Sequence, residues 1–130
     1  MIESLFARID SKREELVSFT QELVSIPTIN PPGEDYLKCA ELLGNRLAKS
    51  GFSLLYERAN NTPGDTERYP RHNVIARIEG KHSGPCVHFN GHLDVVVTGS
   101  GWTVEPFEGL VRDGKIYGRG TCDMKGGLAS

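Results

Sequence analysis

Three residues of this 130-residue chain combine type and spacing in a way that could do chemistry: His92, Asp94 and Asp123. A metal-bound imidazole usually donates its second ring N–H to a carboxylate, which fixes the tautomer and raises the basicity of the ligating nitrogen. The tripeptide His92-Leu93-Asp94 supplies ligand and orienter together. Alone, the same tripeptide equally describes a surface loop. His92 follows Gly91 and the β-prone run Cys86–Asn90. It is therefore expected at the carboxyl end of a strand, where open α/β sheets hold their ligands. Asp123 lies among Gly118, Gly120, Gly126 and Gly127. Glycines at this density let the backbone crowd a site and take positive φ, and a carboxylate at such a strand-to-helix switch can bridge two cations. A phosphate-binding loop is excluded, because Lys125 is followed by Gly126 and not by Ser or Thr. Of the other histidines, His72 and His82 read as solvated loop residues and His88 as packed in the sheet.

The order of these motifs resembles a known family. Asn90-Gly91-His92-Leu93-Asp94-Val95-Val96, then Trp102 through Pro106-Phe107, then Asp113-Gly114-Lys115-Ile116-Tyr117-Gly118-Arg119-Gly120-Thr121-Cys122-Asp123-Met124-Lys125-Gly126-Gly127 look like the co-catalytic zinc amidohydrolases. That family includes acetylornithine deacetylase, succinyl-diaminopimelate desuccinylase, aminoacylase and glutamate carboxypeptidase. The resemblance starts near Leu23 and takes in Ile26-Pro27-Thr28 and Asn30-Pro31-Pro32-Gly33. It implies a role at each matching position. His92 would be the terminal ligand of one zinc, Asp123 the carboxylate bridging two, and Asp94 the catalytic-site acid that clamps His92. The Asp123–Met124 bond would be cis. Cobalt would be a substitute metal. The implied reaction is metal-dependent hydrolysis of the amide of a small N-acyl amino acid, with the deacylases of arginine and lysine biosynthesis the nearest in motif. A peptidase or a carbamoyl-amino-acid hydrolase of the same family is the alternative. With Asp123 in the ligand position, Cys122 reads as a small buried residue. Trp102, Pro106 and Phe107 read as loop anchors, and Arg119 and Lys125 as flanking cations that offset Asp123 or meet substrate.

These residues need elements to hold them. Residues 3–25 read as one amphipathic helix with Leu5, Ile9, Leu16, Phe19 and Leu23 mostly on one face, stopped by Pro27. A rigid Asn-Pro-Pro-Gly loop leads to a second helix with Tyr36, Ala40, Leu43 and Leu47 at helical spacing and Gly51 as its cap. Strands are expected at 52–57, Asn73–Glu79 and Cys86–Asn90, with a polar loop at 59–72. Asp113-Gly114 between β-prone residues is a hairpin signal. Helices followed by strands, with a site at a strand end, predict an α/β fold. The resemblance sharpens this to the N-terminal part of a zinc-exopeptidase-like catalytic domain, a mixed sheet flanked by helices.

Composition bounds the rest. Apolar residues make up 38% and charged residues 25%, with a net charge of −2. An acidic balance argues against nucleic acid or an acidic membrane surface as a partner. No apolar run approaches the roughly 18 residues of a membrane-spanning helix, and the N-terminus lacks an apolar signal core. Three widely spaced cysteines, Cys39, Cys86 and Cys122, read as reduced thiols in a cytoplasmic protein. Lys125–Ser130 reads as a helix start without room for two turns, so residues 1–130 are expected to be the N-terminal portion of a longer catalytic domain, or a non-catalytic truncated product. The resemblance places a general base, further metal ligands and a dimerising lid domain after Ser130. The complete protein would then be a homodimer, and the 130 residues alone would be inactive, weak in zinc binding, and prone to partial folding.

Overall fold

The computed structural model describes residues 2–130. The chain divides into two compact units. One joins the segment up to Ser25 with Thr98–Ser130, and the other spans Ile26–Val97.

In the first unit the N-terminal helical pattern is broken. Helix α1 runs Ile2–Asp10 and α2 runs Arg13–Val24. The expected single helix over 3–25 therefore gives way at Ser11-Lys12, where the Ser11 hydroxyl donates to the Arg8 carbonyl and the Lys12 N–H bonds Ile9 three residues back. A short hydroxyl side chain competes with the helix for backbone partners in this way. The two helices also differ in burial. Leu5 and Ile9 in α1 stay at least half exposed, whereas α2 buries Phe19, Thr20, Leu23 and Val24. Strands β3 (Leu110–Arg112) and β4 (Lys115–Tyr117) pair antiparallel, Leu110 opposite Tyr117. Asp113 and Gly114 between them both have positive φ, as the sequence predicted for a two-residue turn. The hairpin sits on α2 through close backbone approach. A Cβ on Gly118 would lie 2.8 Å from Val24 Cγ1, and Gln21 Nε2 donates to the Gly109 carbonyl at 2.8 Å. A widened turn, Thr121–Lys125, kinked at Asp123 and Met124, then runs into α4 (Gly126–Ala129).

The second unit holds α3 (Tyr36–Lys49) against a two-stranded antiparallel sheet of β1 (Ser53–Arg58) and β2 (His72–Arg77), with Ser53 opposite Arg77 and Arg58 opposite His72. Helix α3 ends as predicted, with Gly51 at φ +90 and Phe52 N–H closing on the Leu47 carbonyl. It buries Cys39, Ala40, Leu43 and Gly44. Leu55 and Ile75 face outward from the sheet, 52% and 51% exposed. His72 begins β2 rather than lying in the preceding loop. The segment after Pro27 pairs in parallel with the His92 region through an isolated bridge, Ile29 with Val95.

The α/β class holds, but the sheets are two separate antiparallel pairs. The run Cys86–Asn90 is not a strand. It is exposed and without regular structure, with Val87 74% and Phe89 90% exposed. A β-prone run becomes a strand only when a neighbour takes its N–H and C=O groups, and among the described residues none does. His92 therefore does not sit at a strand end, and His88 is exposed rather than packed in a sheet. No described helix is long and apolar enough to cross a membrane.

Candidate functional site

Asp94 owes its position to the parallel bridge. Val95 N–H bonds the Thr28 carbonyl at 2.8 Å, and Asn30 N–H bonds the Val95 carbonyl at 2.9 Å. Thr28, fully buried, donates its hydroxyl to the Leu93 carbonyl at 2.6 Å. The backbone on both sides of Asp94 is thus pinned to residues 28–30, while neighbouring residues 96 and 97 are exposed.

Asp94 and His92 meet. His92 Nδ1 lies 3.2 Å from Asp94 Oδ1 and 3.0 Å from the Asp94 carbonyl oxygen. Both oxygens only accept, so Nδ1 carries a ring proton in this arrangement. The ring is about half exposed. A nitrogen ligand oriented by a carboxylate is the donor that zinc takes in proteins, so this pair fits that metal.

Behind Asp94 stands a network that the sequence reading did not find. Asn30 Nδ2 donates to Asp94 Oδ2 at 2.9 Å. The Tyr36 hydroxyl also hydrogen-bonds the Asp94 carboxylate. Arg71 bonds both partners: Nη1 donates to the Tyr36 hydroxyl at 2.7 Å and Nη2 to Asn30 Oδ1 at 2.9 Å. Its guanidinium also lies 4.9 Å from the Tyr36 ring centre. Burial, with the Asp94 charge next, pushes the Tyr36 phenol up to about 12 against the opposing pull of Arg71. Arg71 had been part of a polar loop and Tyr36 a helix-face residue. The sequence signal was the Asn30-Pro31-Pro32-Gly33 motif, whose partner lies about forty residues away.

Asp123 belongs to the other unit. It is exposed, and its backbone (φ −135, ψ 96) and that of Met124 (φ −133, ψ 31) leave helical geometry inside the widened turn. The Asp123–Met124 peptide is cis, as expected. Lys125 does not flank Asp123 at the surface: it is fully buried and its ammonium donates to the Leu23 carbonyl at 2.9 Å. Arg119 stacks on Trp102, 5.2 Å from the ring centre. Both donate to the Thr98 carbonyl, Arg119 Nη2 at 3.1 Å and Trp102 Nε1 at 2.6 Å. Trp102 is thus an anchor, as read. Cys122 is exposed, contrary to the expected burial, because the widened turn directs residues 122 and 123 outward and Lys125 inward. No cysteine is in a disulfide, Cys39 being buried and Cys86 exposed. Among the described residues no group of three or more His, Cys, Asp or Glu side chains could hold a metal ion.

Residues 88–130 match Peptidase family M20/M25/M40. It is 34% identical, over its whole length, to N-formyl-4-amino-5-aminomethyl-2-methylpyrimidine deformylase of Halalkalibacterium halodurans, of which it covers 30%. It is 38% identical over 88% of its length to succinyl-diaminopimelate desuccinylase of Variovorax paradoxus, covering 28% of that protein. It is 41% identical over 84% of its length to the desuccinylase of Methylobacterium radiotolerans, covering 26%. The chain thus spans less than a third of the length of these relatives.

Proposed function

We propose that the chain contributes the first part of the active site of a zinc-dependent amidohydrolase acting on a small N-acyl amino acid, of the desuccinylase or deacetylase type. His92 and Asp123 are its metal ligands and Asp94 the orienter of His92. The observation that carries this reading is the 3.2 Å approach of Asp94 Oδ1 to His92 Nδ1, the carboxylate-behind-imidazole arrangement that orients a metal-ligating histidine. Held by His92 and Asp123, zinc would supply a bound water acidic enough to ionise near neutral pH and a Lewis acid for the scissile carbonyl. The residues of this chain hold and orient. Asp94 keeps the imidazole in one tautomer, and Asp123 offers a carboxylate from an exposed turn. The relatives named above are by name desuccinylases and a deformylase, enzymes that remove an acyl group, which supports the reaction class.

Two ligands are fewer than the three or four protein donors that zinc usually takes, so residues 1–130 by themselves are inactive and bind zinc weakly. Cobalt substitutes for zinc, the complete protein is a cytoplasmic homodimer, and nucleic acid and membrane are not partners. The test is an assay of purified residues 1–130 on N-succinyl and N-acetyl amino acids with zinc or cobalt, beside zinc titration followed by NMR. Signals of His92 and Asp123 that move with zinc, without turnover, support the reading. Turnover above a metal-only control overturns the assignment of inactivity, and zinc that leaves both residues unmoved overturns their assignment as ligands.

A further inference from the structure

The Asn30-Pro31-Pro32-Gly33 motif has no part in the chemistry above, yet it closes on one side chain. Arg71 Nη2 donates to the Pro32 carbonyl at 3.2 Å as well as to Asn30 Oδ1. Gly33 has φ +103, and a Cβ there would lie 2.7 Å from Arg71 Nη1. Gly64 closes on the same guanidinium from the loop before β2, where an added Cβ would collide with Nη2. Asp65 Oδ1 accepts the Arg71 backbone N–H at 2.9 Å. Arg71 Nε is buried without a hydrogen-bond partner. The guanidinium is therefore aimed by its two terminal nitrogens, at Tyr36, Asn30 and Pro32.

The direction of each bond follows from donor chemistry. A guanidinium has donors only. Arg71 facing Asn30 Oδ1 turns the Nδ2 end of the amide toward Asp94; the flipped amide would set donor against donor at one end and acceptor against acceptor at the other. Arg71 donating to the Tyr36 oxygen likewise leaves the phenol proton for Asp94. Two arms that start at one cation thus end as donors on one carboxylate, whose Oδ1 faces His92.

We infer that Arg71, seated in the cradle formed by Asn30, Pro32, Gly33 and Gly64, is the positioning residue of the His92–Asp94 pair, orienting the Asn30 amide and the Tyr36 hydroxyl so that Asp94 holds His92 with its proton on Nδ1. Arg71 touches neither metal nor substrate. The inference rests on the reading of His92 as a ligand for its purpose, while its geometry is independent of that reading.

The experiment uses the full 130-residue chain with ¹⁵N-labelled histidine, metal-free near pH 8, where long-range ¹H–¹⁵N spectra report which ring nitrogen carries the proton. The wild type is expected to hold His92 predominantly as the Nδ1–H form. Arg71→Gln is expected to move more than half of His92 to the other tautomer, with amide dispersion retained. Tyr36→Phe, which removes one arm, is expected to give a smaller shift in the same direction. A folded Arg71→Gln chain with the wild-type tautomer, when Asp94→Asn changes it, overturns the inference. If Arg71→Gln does not fold, Asn30→Asp decides: it keeps an acceptor for Arg71 but sets a carboxylate against Asp94, so an unchanged tautomer there overturns the inference equally. Zinc added to the wild type separates the two claims. Shifted tautomers in the variants without any zinc response at His92 or Asp123 leave the positioning role standing and remove the metal reading.

Discussion

Arg71 donates to Asn30 Oδ1 at 2.9 Å, and this bond decides which end of the Asn30 amide meets Asp94. The consequence reaches His92 three residues along the hydrogen-bonded path. A loop residue about twenty positions before the His92-Leu93-Asp94 motif is thereby tied to the orientation of its imidazole.

Asp94→Ala is expected to weaken zinc binding at His92 by roughly 10- to 100-fold, the usual effect of removing a carboxylate behind a ligating histidine. Competitive titration against a chromophoric chelator measures it. An affinity equal to that of the wild type would show that Asp94 does not act through His92.

Tyr36→Phe removes a hydroxyl bonded to both Arg71 and Asp94, and is expected to destabilise the chain by about 1–2 kcal/mol, read as a lower urea midpoint. The phenol also gives a pH dependence. Its folded-state pKa of about 12 lies above the ordinary value of 10, so the folded chain holds this proton more tightly than the unfolded one. That stabilisation is complete below pH 10 and is lost as pH rises from 10 through about 12. The wild-type urea midpoint should therefore fall across that window more steeply than the midpoint of Tyr36→Phe.

Asp65 gives a dependence of the opposite sign. Its hydrogen bonds from Arg58, then from the Arg71 backbone, hold its carboxyl below the ordinary 3.8. The stabilisation is present above 3.8 and disappears as pH falls through the depressed value. Asp65→Asn should flatten the acid limb of a stability–pH curve measured between pH 6 and pH 2. A parallel acid limb in the variant would assign it to other carboxylates.

Gly33→Ala combines a positive φ with a collision against the Arg71 guanidinium. It is expected to cost at least about 1 kcal/mol and to loosen Arg71, whose Nη signals should then exchange faster with water. Gly51→Ala is a control: it also has positive φ, but nothing lies within 4 Å of its added Cβ. It should lower the urea midpoint while leaving the Arg71 signals unchanged.

Lys125→Met keeps the aliphatic length but removes the donor to the Leu23 carbonyl. A destabilisation of about 1–3 kcal/mol is expected from the lost partner, with no change in the His92 tautomer. A changed tautomer would mean that Lys125 contributes to orienting His92.

Local chemistry was legible in the sequence wherever neighbours along the chain sufficed. The Asp113-Gly114 turn, the Gly51 cap, the span of α3 and the pairing of His92 with Asp94 two residues on all follow from residue type at short range. Partnerships across the chain were not. Cys86–Asn90 has the composition of a strand but no neighbour to pair with, and Lys125 has the charge of a surface residue but a carbonyl waiting 102 residues away. Ser11 broke a helix whose apolar spacing ran through it. The sequence by itself determined that a histidine and a carboxylate stand together in a metallohydrolase-like motif. Only the tertiary structure decided that Asn30, Tyr36 and Arg71 stand behind them, because a hydrogen bond between residues 30 and 71 depends on where α3, the loop before β2 and the Ile29–Val95 bridge bring their backbones, and no periodicity in the chain encodes that meeting.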